Sequence, residues 1–296
     1  MLSISKITPD KSAFLSPLTN IFQPPKDIYF YGDLPTERRP SVAIVGSRKP
    51  TVYGREMTHK FAYALAQRGI VIVSGLALGI DALAHRACLE AGGTTVAVLG
   101  SGLKDITPRT NQPLGREILK KDGVILSEYE PNTPVRPFQF LERNRLVSGL
   151  ADAVIVVEAA KRSGTLSTAA HALQQGRDVF AVPGNLNSPM SEGCNNLIKQ
   201  GATLLSDPQQ VLDLFNLNET AEQLTLALKD PIDQKIVNLI QQGERSGEVI
   251  IKVLKIPPAE FNYHLTMLEV QGIIKALGSN QWTLRWHYRQ NHVYML

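Results

Sequence analysis

From residue 41 onward, short apolar runs alternate with amphipathic stretches of helical period. Residues 42–45 are a β-branched run closed by Gly46. The next stretch predicts a helix over 54–68, with Met57, Phe61, Ala64 and Leu65 on one face and Gly69 as its stop. A strand at 70–73, a glycine-rich turn and a helix at 80–90 complete the first strand–helix repeat. The cycle continues with strands at 95–99, 124–126, 153–157 and 179–182, separated by helices near 115–121, 140–150 and 166–175. A helix at 195–200 and an edge strand at 203–205 end it.

Strands that read as unbroken apolar runs are covered on both faces, and strands alternating with helices of this length are joined by right-handed crossovers. The pattern therefore predicts an α/β fold: a doubly wound, extended Rossmann-like, mostly parallel sheet over residues 41–215. Such sheets bind ligands outside the carboxyl ends of their strands. Residues 1–40 carry Pro9, Pro17, Pro24, Pro25, Pro35 and Pro40 and read as an irregular entry segment packed on the main domain, with one short strand at 28–31. Residues 216–230 are polar and patternless, a linker. Beyond it, Ile232, Ile236 and Ile240 mark one helix, 249–254 a second, and Pro257 and Pro258 open a third with Phe261, Leu265 and Leu268 inside. After Gly272, residues 273–277 and 281–284 pair as a hairpin. Three helices and a ribbon predict a small winged-helix domain over 231–296. The tail residues Arg285, His287, Arg289 and His292 add basic and aromatic character.

Composition narrows the picture. Apolar residues make up 43% and charged residues 20% of the 296-residue chain, enough for a real core. No run of about eighteen apolar residues occurs, so no membrane span is expected. Lys6, Asp10 and Lys11 interrupt the stretch that a signal peptide would need, which points to a cytoplasmic protein. Cys88 and Cys194 are too few for a disulfide framework or a four-cysteine zinc site, so neither metal nor bridges are expected. The net charge of +4 permits a polyanionic partner without requiring one.

The chemistry concentrates in four strand-to-helix connections. Gly46-Ser47-Arg48-Lys49-Pro50 combines close backbone approach, a hydroxyl and two cations beside a helix start, which suits a phosphate. It is not a GxGxxG fingerprint, no GxxxxGK[ST] loop exists, and Ser74-Gly75 supplies no carboxylate for a ribose. A dinucleotide cofactor is therefore disfavoured. The second connection, Ser74 to Asp81, is made of small residues. Asp81 and His85, at i and i+4, read as a helix-start carboxylate with its partner. The third is Phe138-Gln139-Phe140-Leu141-Glu142-Arg143-Asn144-Arg145. Its two arginines point to different sides of a helix, toward a ligand or toward buried acids, and its phenylalanines offer stacking surfaces or core packing. The fourth, Lys161-Arg162-Ser163-Gly164-Thr165, places two cations before a helix start rich in hydroxyls, a second anion site.

These residues, in this order, resemble the DprA/Smf DNA-processing family. The resemblance rests on Gly46-Ser47-Arg48, Tyr53-Gly54, the stretch from Ser74 to Asp81 and Ala84-His85, with Ser127-Glu128 and Arg143-Asn144-Arg145. Val157-Glu158-Ala159, Ser163-Gly164-Thr165, Gly176-Arg177, Val182-Pro183-Gly184 and Asn195 extend it. It implies a bacterial, cytosolic, non-enzymatic protein that binds single-stranded DNA, forms a homodimer and helps to load the RecA recombinase during natural transformation. It further implies a DNA pocket of Gly46, Ser47, Arg48, Ser74, Gly75, Phe140, Arg143, Asn144, Arg145, Lys161, Ser163, Gly164 and Thr165. Arg48 and Lys161 would meet phosphates, Arg143 or Arg145 would close the pocket, and Asn144 would hydrogen-bond backbone or a base edge.

Two other functions compete. A nucleotide phosphoribohydrolase of the lysine decarboxylase-like group would share the sheet, but Thr168 stands where such enzymes carry a glutamate, and a threonine is no base near pH 7. In the third reading the winged helix reads DNA and the sheet is a dimer platform.

Overall fold

The computed structural model describes residues 4–215, 230–242, 244–270, 273–278 and 280–284, which fall into two units divided between residues 215 and 216. The first unit is built on a nine-stranded sheet. Its strands are β1 (Ser5–Ile7), β2 (Ile28–Tyr31), β3 (Ser41–Val45), β4 (Val71–Ser74), β5 (Thr95–Val98), β6 (Val124–Ser127), β7 (Ala153–Val156), β8 (Asp178–Ala181) and β9 (Thr203–Leu204). The spatial order is β1-β2-β6-β5-β4-β3-β7-β8-β9. Every neighbouring pair from β6 to β9 is parallel.

β3 through β7 are buried along their whole length, as their unbroken Val, Ile and Ala runs require. The crossover helices are α1 (Val52–Gln67), α2 (Ile80–Glu90), α3 (Gln112–Lys120), α4 (Pro137–Leu150), α5 (Thr165–Gln174) and α6 (Glu192–Lys199), followed by a single turn, α7 (Gln209–Leu212). The chain lays down β3 to β6 in one direction and then returns across β3 to lay down β7 to β9 in the other. The winding reverses between β3 and β7, and a crevice opens at such a point at the carboxyl ends of the strands.

The entry segment differs from the irregular stretch expected. β1 pairs antiparallel with β2, and β2 pairs antiparallel with β6, so the segment extends the sheet by two strands. Phe14, Leu15 and Leu18 are fully buried in the main core. Each such side chain contributes about 1.5–3 kcal/mol on leaving water, which is what fastens a proline-rich segment to the sheet.

The second unit contains α8 (Pro231–Gln241), α9 (Gly247–Leu254), α10 (Pro258–Val270) and the antiparallel hairpin β10 (Ile274–Gly278) and β11 (Gln281–Leu284). Ile236, Val237, Ile250, Phe261, Leu265, Leu268 and Ile274 form its own core. Asp230 caps α8 through a 2.7 Å bond from the Ile232 amide, and His264 and Asp233 pin α10 to α8 at 2.8 Å. The linker over residues 216–229, Gly272 and the tail from Arg285 to His292 lie outside the described residues.

Candidate nucleic-acid interface

Four connections expected to carry chemistry meet at the carboxyl edge, and Gly46 and Ser47 lie where they cross. The Ser47 amide donates to the Glu158 carbonyl at 2.8 Å, joining the β3 and β7 loops across the reversal point. The Ile80 amide donates to the Ser47 carbonyl at 3.1 Å, which brings in the β4 loop. Thr165 Oγ1 donates to the Gly46 carbonyl at 3.0 Å, which seats the start of α5 against the same turn. Gly79, at φ +79°, makes this crossing possible: a Cβ there would fall on the Ser47 carbonyl. Asn111 steadies the β4 loop by donating to the carbonyls of Leu76 and Ala77 at 2.9 and 3.1 Å.

Two helix N-termini lie in the crevice, and they differ in whether a carboxylate is seated on them. The start of α1 is already occupied by the protein itself. Glu158, buried at the end of the β7 run, accepts from the Thr51 amide at 2.9 Å and from the Thr51 hydroxyl. A side-chain carboxylate thus takes the place a phosphate would take at that helix. The β3 loop was expected to offer its helix start to a phosphate; the structure leaves it only its cations. The start of α5 is different. Its first turn carries no acidic residue and its cap, Gly164, is exposed. The positive end of that helix faces solvent beside the Lys161-Arg162 loop.

Arg48, Lys49, Lys161 and Arg162 are all exposed on these two loops. The Arg48 guanidinium lies 5.7 Å from the centroid of the Phe140 ring, a cation–π contact that holds the charge over an aromatic face. Phe140 is half-buried above Gly100. Around it an apolar rim is exposed: Phe138 at 50%, Leu141 at 51% and Leu78 at 44%. Sequence reasoning overlooked Leu78 and Leu141, because lone leucines in helix starts read as core. Asn144 bridges the two helices, donating to the Gly164 carbonyl at 3.3 Å and to Ser167 Oγ at 2.8 Å. Ser163 Oγ accepts from the Thr165 amide at 3.2 Å.

The two arginines of the third motif both resolve toward buried partners. Arg143 is 4% exposed and donates to the Gly75 carbonyl at 2.6 Å and to the Val98 carbonyl. Its charge acts on Asp81, whose carboxylate accepts from the Gly75 amide at 3.0 Å. Burial pushes the Asp81 carboxyl up and the Arg143 guanidinium down, and each opposes the other's shift. Gly75 is required here, since a Cβ would fall onto the Arg143 guanidinium. Arg145 pairs with Glu128 at 2.6 Å, both nearly buried. The expectation that Arg143 or Arg145 closes the pocket is corrected: both guanidiniums brace the walls under the rim. Ser74 lies beneath it too, its hydroxyl donating to the Ile44 carbonyl at 2.7 Å. The helix that carries both arginines, α4, starts at Pro137, three residues ahead of the helix expected from residue 140. Proline at the first helical position was the available signal.

Asp81 and His85 share a helix face but take different partners. His85 Nδ1 lies 2.7 Å from Thr95 Oγ1. Cys88 and Cys194 are buried free thiols, both pushed up to about 12 by burial, so neither is a nucleophile.

Residues 5–216 match the family described as DNA recombination-mediator protein A. The chain belongs to that family. Within it, Protein Smf of Escherichia coli (strain K12) is 37% identical over 290 residues, covering 92% of this chain and 75% of that one. DNA processing protein DprA of Streptococcus pneumoniae is 42% identical over 198 residues, covering 67% of this chain and 70% of its own length. The X-ray structure of the S. pneumoniae protein superposes with a TM-score of 0.67 at 39% identity, covering 71% of this chain and 74% of that one. DNA processing protein A from Helicobacter pylori, whose structure was determined for its single-stranded DNA binding mode, gives a TM-score of 0.63 at 35% identity. That match covers 73% of this chain and 96% of the H. pylori chain. The family match ends at residue 216, so it covers the unit that holds the crevice. No helix among the described residues is long and apolar enough to cross a membrane.

Proposed function

We propose that this recombination-mediator family member binds single-stranded DNA, without sequence preference and without breaking a bond, at the crevice between β3 and β7. One observation carries the reading: two loops hydrogen-bonded to each other at the winding reversal display Arg48, Lys49, Lys161 and Arg162 to solvent beside the acid-free start of α5. Phosphates meet those cations, and unstacked bases lie on Phe138, Phe140, Leu78 and Leu141, an arrangement indifferent to sequence because every base has an apolar face. Gly46, Ser47, Ser163, Gly164 and Thr165 shape the floor, Asn144 ties the α4 and α5 walls together, and Ser74, Gly75, Arg143 and Arg145 support it from below. The family's description as a recombination mediator and the single-stranded DNA binding of the H. pylori relative support the same reading.

Absence of bond-breaking chemistry is part of the proposal. Thr168, at the position where related hydrolases carry a glutamate, is 2% exposed and inside the core. Glu158 is engaged by Thr51 and Asp81 by the Gly75 amide, both buried away from the crevice surface, and burial lowers His85 to about 3, well below a useful base near pH 7. We further propose that the chain acts in the cytoplasm as a homodimer and passes its strand to a RecA-class recombinase.

Fluorescence anisotropy with a labelled oligothymidine tests the binding. Arg48→Ala and Lys161→Ala each weaken affinity about ten-fold, the worth of a charge-assisted contact of about 1.5 kcal/mol. The slope of log K against log salt flattens by about 0.7 for each phosphate lost. Wild-type protein with no affinity at low salt overturns the reading. Liberation of free base from a nucleoside monophosphate overturns the non-enzymatic part.

A further inference from the structure

Of the four exposed cations on the two rim loops, only Lys161 has a carboxylate partner among the described residues. Its ammonium lies 3.3 Å from Glu192 Oε1, with both side chains largely in solvent. An exposed pair of this kind adds little to folding, so its presence on a phosphate-binding rim needs another reason. The backbone on either side of Glu192 is tied to the Lys161 loop. The Ala159 amide donates to the Met190 carbonyl at 2.9 Å, and the Gly193 amide donates back to the Ala159 carbonyl at 2.8 Å. Asn195 ties α6 to the connection that follows β8 by bonding both the amide and the carbonyl of Gly184, at 3.2 and 3.0 Å. The carboxylate stands in the first turn of α6, at the positive end of that helix. Lys161 therefore meets a negative charge on its own rim before any phosphate arrives.

We propose that Glu192 is a built-in competitor for the phosphate at Lys161, and that it sets how readily a bound strand is released. This rests on the single-strand-binding reading above. A strand that engages Lys161 must displace Glu192 from it, while Arg48, Lys49 and Arg162 grip without such an exchange. The rim then holds a strand firmly enough to capture it and loosely enough to hand it on. Neutralising Glu192 removes the competitor and slows release.

The test is an anisotropy titration and a stopped-flow dissociation measurement with labelled oligothymidine on four full-length proteins: wild type, Glu192→Gln, Lys161→Ala and the double variant. Glu192→Gln is expected to bind about two- to five-fold tighter, the range of an exposed ion pair, with the gain in slower dissociation. In the Lys161→Ala background the same change is expected to do nothing, because the cation it competes for is gone. Glu192→Asp, which keeps the first-turn charge of α6 but shortens its reach, is expected to gain part of the effect and guards against a folding artefact in the glutamine variant. Wild-type affinity in Glu192→Gln overturns the inference while leaving the site reading intact. An equal gain with and without Lys161 overturns it too, since that outcome is general repulsion of DNA by a negative charge. A wild type that binds no oligothymidine overturns the site reading and this inference together.

Discussion

Arg143→Ala is expected to destabilise the sheet unit by about 3–5 kcal/mol, while Arg48→Ala leaves the denaturation midpoint where it was. The two residues look alike in the sequence, each a cation near a strand end. In the structure Arg48 is exposed, and its loss removes only a solvated charge over the Phe140 ring. Arg143 reaches under the β4 loop to the carbonyls of Gly75 and Val98. Its truncation orphans two buried acceptors, each at about 1–3 kcal/mol, and strips Asp81 of its opposing charge. Both bonds leave the single nitrogen Nη1, and Arg143→Lys is expected to recover only part of the stability, because a strongly hydrated ammonium costs more to bury than a guanidinium. Arg145→Ala behaves similarly, leaving Glu128 buried without its 2.6 Å partner. Urea denaturation of the four variants decides between a bracing and a contacting role. An Arg143→Ala protein as stable as wild type that no longer binds oligothymidine would return Arg143 to the DNA surface.

Acid is expected to destabilise the unit through His85, by about 1.4 kcal/mol for each pH unit below about 6.5. Thr95 Oγ1 spends its hydrogen on the Ile72 carbonyl at 2.7 Å, so His85 Nδ1 must donate to Thr95, and the unprotonated Nε2 is buried without a partner. Protonating Nε2 would bury an unsolvated charge close to that of Arg143, which is why burial, then Arg143, lowers the group from 6.5 to about 3. The sign follows from proton binding. Between those two values the unfolded chain binds a proton that the folded chain refuses. Stability is complete above pH 6.5 and drains away as the pH falls toward 3. His85→Asn keeps a donor toward Thr95 and removes the titration. The difference between its urea-denaturation stability and that of wild type, followed from pH 7 to pH 4, isolates this residue from the carboxylates titrating around it. Curves that fall in parallel would show that His85 carries none of the acid sensitivity.

Much of the molecule is legible before any coordinates. The helix at 80–90 and the strand starting at residue 124 coincide with α2 and β6, because an apolar run of period one or a stripe of period 3.6 is a local property. Of the two entry strands, the one at 28–31 was expected and is β2, whereas β1 escaped notice for the opposite reason. β1 is three residues long and amounts to a strand only when β2 lies beside it. The helix start at Pro137 was written in the chain but outweighed by the polar, turn-like residues before it.

The alternation of apolar runs and amphipathic helices dictated a doubly wound sheet, and the clustering of Gly, Ser, Arg and Lys after its strands marked the edge at which binding is proposed. Those are properties of spacing along a chain. Which cations face water is not. Arg48 and Arg143 differ only in where their guanidiniums find oxygen, and that depends on backbone carbonyls contributed by strands 45 and 68 residues away along the chain. The occupation of the α1 start by Glu158, across 107 residues, is likewise settled only once the sheet has closed. Partners so distant in sequence leave no local periodicity, and the folded arrangement alone separates the charges that brace the crevice from the charges that line it.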